Sequence, residues 1–253
     1  MQTTTDPDRV QATENDNHSG PSTDPHSKAL PILPVRGLVA FPRMRVPFVV
    51  ALNADPVVDA AMQSDHIVGL LTVKSEDTED PQPGDLYEVG TIAKILQAKK
   101  NDEGLLVVLL EGQNRFRVKA WETGGRFLKA TTIQAPEVVE DGIEIEALQG
   151  HLVKLVAEIM TMRADGGEGL AKAVAQIKDP LQLAYVTGFN SSMTLEARQA
   201  LLETDSASQK FRDLLSHFSR EKEKLAIGKK IQSDIQDTMS KSQREYYLSQ
   251  QLA

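Results

Sequence analysis

The chain has 253 residues, of which 40% are apolar and 25% charged, so it suits one large or two ordinary globular domains and cannot be disordered throughout. Its formal net charge of −8 would repel phosphate backbones, so nucleic acid is not the expected partner. The absence of cysteine excludes disulfides, thiolate metal sites and cysteine nucleophiles. No apolar run approaches the roughly 18 residues of a membrane span, and the start lacks the features of a secretory signal. We therefore expect a soluble cytoplasmic protein without a membrane partner.

The first 28 residues are polar. They consist of Thr, Asp, Asn, Ser, Pro and Gly with almost no apolar side chains. Such a segment cannot bury enough apolar surface to offset the entropy lost on ordering. The composition predicts a disordered tail over residues 1–28.

Short apolar runs dominate residues 29–136. They are rich in Val, Ile and Phe and are separated by turn signals such as PQPGD, NDEG and ETGG. This spacing predicts a small all-β barrel or sandwich. The exception is NADPVVDAAMQSD, where Asp55 suits a helix N-cap and Pro56 the first helical position. We predict one short helix there, with four residues on the face that packs on the sheet: Val57, Val58, Ala61 and Met62.

The apolar period changes from two to about 3.6 after the polar stretch APEVVEDG. The strongest helical pattern is IEIEALQGHLVKLVAEIMTMR, and shorter patterns lie near residues 168–178, 180–189 and 194–203. Together these segments predict a helical bundle over residues 137–205.

A single long helix is predicted over residues 206–253, because this stretch has no proline and one glycine, Gly228. At 1.5 Å per residue it would be roughly 70 Å long, more than a small domain can bury. Its first part has enough apolar residues to dock on the bundle: Phe211, Leu214, Leu215, Phe218 and Leu225. The helical pattern continues to Ala253 without a stop signal, so we expect the chain to be a piece of a longer protein.

The later part of this helix has an apolar residue at every fourth position, flanked by Lys, Gln, Ser and Asp. These residues form a narrow stripe: Ile227, Ile231, Ile235 and Met239. A narrow stripe makes a thin contact, so we predict that it packs against a helix partner or another subunit.

No catalytic, cofactor-binding or metal-binding residues are predicted. The only Gly-Lys pair, Gly228 and Lys229, lacks the rest of a phosphate loop. The glycine-rich stretch DGGEG at residues 165–169 has two carboxylates and no basic residue, which favours an interhelical turn over an anion site. The five histidines lack zinc-ligand spacing, and no Gly-x-Ser-x-Gly elbow is present.

Two separated motifs resemble the N-terminal region of Lon proteases of the LonA type. The first, LPILPVRGLVAFPRMRVPFVV, is similar to the opening of that region, on these residues: Leu33, Pro34, Arg36, Phe41, Pro42, Met44 and Pro47. The second, QREYYLSQQLA, matches the family's Gln-Arg-Glu-Tyr-Tyr-Leu segment from Gln243 to Leu248. Ser249 and Gln250 depart from an Arg-Glu that often follows there. The resemblance covers about residues 29–253.

This resemblance implies an α+β fold: a PUA-like β-barrel domain, a helical bundle and a long helix leading to an ATPase module. Lon proteins are ATP-dependent serine proteases of the cytoplasm or mitochondrion, assembled as homohexameric rings. Their AAA+ module uses ATP and magnesium, and their protease domain uses a Ser and Lys dyad. Both active sites follow the Tyr-Tyr-Leu segment, so the resemblance implies no enzyme activity and no cofactor for this chain.

Three functions remain open at this point. The first is a substrate-recognition and assembly region of a Lon protease that captures damaged, misfolded or short-lived regulatory proteins. For capture we predict three apolar residues in the proline-punctuated stretch, with packing in the β core as the alternative for each: Phe41, Met44 and Phe48. The second is a stand-alone protein-binding module of the same type without a protease. The third, an RNA binder by analogy with PUA domains, is disfavoured by the net charge.

Overall fold

The computed structural model describes residues 29–50, 55–102, 104–122, 124–163 and 168–251. The predicted disordered tail over residues 1–28 lies outside the described residues, as does most of the predicted turn at 165–169. The fold is α+β, with a six-stranded mixed sheet followed by helices.

The strands are β1 Ala29–Val35, β2 Arg45–Val49, β3 Ile67–Thr72, β4 Val89–Lys100, β5 Leu106–Glu122 and β6 Lys129–Gln134. Their order in the sheet is β2-β5-β4-β3-β1-β6, and β6 also pairs with β5. Five strands therefore form a cycle of hydrogen-bonded pairs, β5-β4-β3-β1-β6 and back to β5. Strand β2 pairs with β5 outside this cycle. Among the strands that the structure describes, β1 and β3 pair in parallel and the other pairs are antiparallel.

Strand β5 carries two partners on the same side because it is long. Its first part, Val107 to Glu111, pairs with β2, and its second part, Phe116 to Glu122, pairs with β6. A register shift between Val118 and Ala120 marks the irregularity in the second ladder. The ladder with β4 has a further shift where Thr91 pairs with Arg115 and Ala93 with Gly112, which falls between the two parts of β5. Such shifts bend a strand.

The short helix is α1, Asp55–Met62, as predicted. It packs on β1 and β3, with Val57, Val58 and Ala61 buried. Met62 was expected on the same face, but it is 36% exposed. It is the last residue of α1, where the helix leaves the sheet.

The remaining helices are α2 Ile143–Met162, α3 Glu168–Gln176, α4 Pro180–Phe189, α5 Leu195–Glu203 and α6 Ala207–Gln251. These bounds confirm the helices expected from the apolar period. Two begin with a side-chain cap: Asp179 accepts from the N–H of Gln182, and Thr194 accepts from the N–H of Ala197. The first part of α6 docks as predicted, with Phe211, Leu214 and Phe218 buried and Leu215 and Leu225 partly buried.

Candidate functional site

Two of the predicted capture residues, Phe41 and Met44, lie on a loop that is held close to β5, and the third, Phe48, lies on β2. Arg43 has a left-handed backbone, φ 61°, and its N–H donates to the carbonyl of Gly112 at 2.9 Å. The N–H of Gly112 donates in turn to the carbonyl of Met44 at 2.8 Å. A Cβ atom at Gly112 would lie 2.3 Å from the Phe41 carbonyl oxygen, so only glycine admits this approach. The Arg43 guanidinium also pairs with Asp179, the cap of α4.

Phe41 is buried, with 1% of its surface exposed. Its ring stacks on Tyr185 of α4, with 5.0 Å between ring centroids, and belongs to the apolar core of the helices. The prediction of an exposed Phe41 was therefore wrong, because the loop inserts this ring between the sheet and the bundle. Phe41 joins the two halves of the protein and presents no surface for capture.

Met44 and Phe48 are both half-buried. Met44 packs against the helical core and Phe48 against the core beneath the sheet. With Leu38, Ala40 and Val46 they line a cavity of about 10 Å³. A space of this size holds about one water molecule, so in this conformation it is a seam between apolar side chains. Capture by Met44 and Phe48 stays a prediction.

A larger cavity, of about 580 Å³, lies beside Phe48 at the end of β2. Its walls are largely apolar, with three charged side chains: Arg36, Asp80 and Arg126. The apolar lining comes from β1, from β2 and the residue after it, from α1, from the segment between β3 and β4, and from the turns before β5 and β6: Ile32, Pro34, Phe48, Val49, Val50, Val57, Pro81, Leu105, Phe127 and Leu128. Apolar pockets of roughly 300–1,000 Å³ with a few polar groups are the usual form of a binding site.

A buried arginine ties the sheet to the helices. The guanidinium of Arg115, on β5, is fully buried and uses all five of its N–H donors. The acceptors are the carbonyls of Ala135 (3.1 Å), Pro136 (2.8 Å), Leu202 (2.5 Å) and Thr204 (3.0 Å) and a carboxylate oxygen of Asp205 (2.6 Å). One side chain thus holds the segment after β6 and the segment between α5 and α6 against the sheet.

A second buried cation completes this junction. The Lys210 ammonium lies 3.2 Å from a carboxylate oxygen of Glu137 and donates to the Leu201 carbonyl at 2.5 Å. The Tyr185 hydroxyl donates to the same carboxylate. Burial lowers the pKa of Lys210 to about 8, because it outweighs the opposite effect of the Glu137 charge. Burial and the nearby Glu137 charge both raise the pKa of Tyr185 above its usual range. We call Arg115, Glu137, Tyr185 and Lys210 the buried junction, which Asp205 borders with a side chain that is 69% exposed.

The predicted stripe on α6 is exposed. Ile227, Ile231, Ile235 and Met239 are 53%, 53%, 55% and 61% exposed. They extend past Leu225, the last residue of the helix that packs against the helical core. The stripe therefore has no apolar cover within the described residues, and its predicted contact with a partner stays a prediction.

The described residues show no membrane or metal feature. Even the 45-residue helix α6 lacks an apolar window long enough to span a bilayer. Across the described ranges, no three His, Asp or Glu side chains are grouped as metal ligands would be.

The model of one protein family matches most of the chain. It is described as the ATP-dependent protease La (LON) substrate-binding domain, and it matches residues 29–220. The chain belongs to the Lon substrate-binding domain family. The match spans the sheet, the bundle and the docked part of α6, so both halves joined by the buried junction belong to the Lon region.

Curated Lon proteases are similar to the chain over nearly its whole length. The chain is 32% identical to the Lon protease of Rhizobium meliloti (strain 1021) over 237 residues, which are 93% of the chain and 29% of that protein. It is 34% identical to the Lon protease of Anaeromyxobacter dehalogenans (strain 2CP-C) over 226 residues, 88% of the chain and 27% of that protein. The chain thus spans less than a third of these relatives.

A solved structure agrees with this assignment. The N-terminal domain of Mycobacterium avium complex Lon protease superposes with a TM-score of 0.63 at 28% identity, over 76% of this chain and 98% of that one. The Lon N-terminal domain protein from Xanthomonas campestris has the same fold at 17% identity, with a TM-score of 0.54 over 75% of this chain and 98% of that one.

Sequence reasoning missed the buried junction and the larger cavity. Arg115 and Glu137 sit among polar residues in the sequence, and nothing local distinguishes a buried charge from an exposed one. The cavity had one signal, because Pro47 lies inside an apolar run, and a proline in a strand indicates an edge. The cavity meets that edge next to Pro47, at Phe48 and Val49.

Proposed function

We propose that this chain is the substrate-recognition and assembly region of an ATP-dependent Lon serine protease that degrades damaged, misfolded and short-lived regulatory proteins. The observation that carries the proposal is the match over residues 29–220 to a family described as the substrate-binding domain of Lon. The relatives' Lon protease names favour it over a stand-alone module. In this proposal, the larger part of the relatives that this chain does not span binds ATP and magnesium, contains the Ser and Lys dyad and forms the hexameric ring. The protease acts in the cytoplasm.

We also propose that the five-strand cycle β5-β4-β3-β1-β6 is a small PUA-like barrel. The pairing of β6 with β5 supports closure. The proposed division is residues 29–136 for this domain, 137–205 for the bundle and 206–253 for the long helix.

The capture surface in this proposal is the apolar seam at Met44 and Phe48 together with the cavity beside Phe48. Both residues are half-buried, so part of each side chain is available to an unfolded polypeptide. Methionine suits promiscuous contact because its side chain is flexible and polarisable. Unfolded proteins expose apolar side chains, which match the apolar side chains of Met44 and Phe48.

The test uses the purified chain and a carboxymethylated, permanently unfolded protein, with binding measured by fluorescence anisotropy. Met44→Asp should weaken binding at least about tenfold, because a charge enters the apolar contact. Ile143→Asp is the matched control: Ile143 is 86% exposed and lies on α2, outside both cavities. Equal binding by both variants and wild type would overturn the capture surface.

A thermal melt of each variant separates capture from folding. If Met44→Asp keeps a melting temperature within a few degrees of wild type, weaker binding is a surface effect. If Met44→Asp does not fold, Met44 is a core residue, and Phe48→Ser then serves as the second variant. The chain alone should hydrolyse neither ATP nor casein.

A further inference from the structure

Strand β2 is an open edge of the sheet. Within the described residues it pairs only with β5. The N–H of Val50 donates to the Leu106 carbonyl at 2.8 Å, and the N–H of Gly112 donates to the Met44 carbonyl at 2.8 Å. These two bonds fix which residues of β2 face β5, because main-chain groups alternate in direction along an antiparallel strand.

The main-chain N–H and carbonyl groups of Val46 and Phe48 therefore point toward β5. Those of Arg45, Pro47 and Val49 point toward the open side. Pro47 has no N–H to donate, so its position on the open side costs no bond to β5. Arg45 and Val49 each present one N–H and one carbonyl there, and Pro47 presents a carbonyl. The open edge therefore offers two donors and three acceptors over five residues, roughly 17 Å of strand.

The larger cavity meets this edge at the C-terminal end of β2. Phe48, Val49 and Val50 are consecutive, and all three line it. Successive side chains of a strand point to opposite faces, so a cavity that touches three in a row lies beside the strand and not over one face. Its far wall includes Ile32 and Pro34 of β1. The cavity thus lies beside Val49, next to one end of the path that a strand added to β2 would follow.

The rim of the cavity is positive. Arg36 and Arg126 outnumber Asp80 there, in a protein whose net charge is −8. Arg36 donates to the carbonyl of Glu79, whereas Arg126 is exposed and has no ion pair among the described residues. A guanidinium in this position favours a carboxylate on the bound molecule.

We propose that the open edge of β2 binds an extended segment of an unfolded protein as an added strand. Alternate apolar side chains of the segment fill the cavity, and a carboxylate beside them pairs with Arg126. This inference rests on the proposed function and adds its mode of binding, through the main chain. Residues 1–28 do not suit the cavity, since their apolar residues are only Met1, Val10 and Ala12.

The first experiment tests the main-chain bonds with a peptide. The probe is a fluorescein-labelled nine-residue peptide of alternating leucine and serine with one glutamate near an end. Two further versions carry N-methyl groups on the odd or on the even residues. Strand addition predicts that one version binds about tenfold or more weakly, while the other stays within about twofold of the parent. Equal affinities, or equal losses in both versions, overturn the proposal.

The second experiment changes the edge of the protein. Val49→Pro removes an outward N–H and leaves the bond from Val50 to Leu106 in place, so binding should weaken about tenfold. Val49→Thr is the matched control, because it keeps both the N–H and the branched shape, and it should bind like wild type. Equal affinity of the two variants overturns the proposal. If Val49→Pro does not fold, the methylated peptides decide alone.

The third experiment tests the charge. Replacing the glutamate of the peptide with lysine should weaken binding several-fold, and Arg126→Glu should reverse this preference. Persistence of the glutamate preference in Arg126→Glu overturns the assigned partner of the carboxylate.

Binding of the carboxymethylated unfolded protein is measured in parallel. If wild type binds that protein but both methylated peptides lose affinity equally, strand addition is wrong and the proposed function stands. If wild type binds neither the peptide nor the unfolded protein, both are wrong. Dimerisation that rises with concentration and is lost in Val49→Pro would make a second copy the occupant and overturn the proposal.

Discussion

The two parts of α6 both have apolar residues at helical spacing, but their surroundings are opposite. Near its start, Phe211 and Leu214 are fully buried and Phe218 is 3% exposed. Past Leu225, the residues of the stripe are more than half exposed. One helix therefore passes from a packed core to solvent without a break in its backbone.

The decisive difference lies in the width of the apolar face. The docked part has apolar residues at three and four residue steps, which form a broad face against α2 and α4. The stripe has one residue every four, flanked by polar side chains, which is too narrow to cover a domain. Width thus distinguishes a helix that folds with its own domain from one whose apolar residues need a partner.

Breaking the buried junction should have the largest effect on stability. Glu137→Leu leaves Arg115 and Lys210 without their shared carboxylate in a buried site, which should cost about 3–5 kcal/mol of unfolding free energy. Urea denaturation measures the loss. Glu144→Ala is the control, because its ion pair with Arg212 is exposed and should contribute only about 0–1 kcal/mol. Similar losses in both variants would contradict a special role for the junction.

Removing the ring that joins the two halves should be nearly as damaging. Phe41→Ala deletes a buried side chain stacked on Tyr185 and should cost about 3 kcal/mol or more. Met44→Ala should cost clearly less, because Met44 is only half-buried. Urea denaturation of Phe41→Ala and Met44→Ala tests which of these two side chains belongs to the core. Equal losses of unfolding free energy would show that Met44 is a core residue as well.

The sequence predicted much of the fold but not the contacts between its halves. The helices α1 to α6 follow from local periodicity, and so does the docking of α6. The closing pair β5–β6 and the stacking of Phe41 on Tyr185 depend on residues far apart in the chain, and no local pattern encodes such registers. For the candidate site, the sequence located Met44 on the loop and Phe48 on β2, but the charged rim at Arg126 was visible only in three dimensions.

The buried lysine should leave a pH signature. The pKa of Lys210 is lowered to about 8 from its ordinary 10.5, so above pH 8 the folded state releases the proton while the unfolded state keeps it. The unfolded state then binds more protons, and stability rises with pH, by about 2–3 kcal/mol between pH 8 and 10. Lys210→Met should lack this rise relative to wild type.

The raised pKa of Tyr185 acts in the opposite direction above pH 10, because there the unfolded tyrosine loses its proton first. The comparison should therefore be made by urea denaturation between pH 8 and 10. Identical pH profiles for wild type and Lys210→Met would contradict the lowered pKa.

Changing the stripe should have the smallest effect on the isolated chain. The double variant Ile231→Ser, Ile235→Ser should alter the unfolding free energy by less than about 0.5 kcal/mol, since both residues are exposed. Leu214→Ser on the same helix is the matched control and should cost several-fold more. Sedimentation at rising concentration should show weaker self-association for the double variant than for wild type.

Hydrogen exchange gives a second measure of the same region. Amides from about Gly228 onward should exchange fast at low concentration and slow down when a partner covers the stripe, because an isolated helix gains most of its stability from packing. Uniformly slow exchange through Tyr247 in a proven monomer would contradict this expectation.

The free part of α6 also has a mechanical consequence. From Leu225, where packing on the bundle ends, to Gln251 the helix advances roughly 39 Å at 1.5 Å per residue. A tilt of about 10° at Leu225 would therefore carry the far end through roughly 7 Å, while the start of the helix stays fixed by Lys210 and the core around Phe211. Because the start of the helix is fixed in the core, a small change of angle in the bundle produces a large displacement at the far end of the helix.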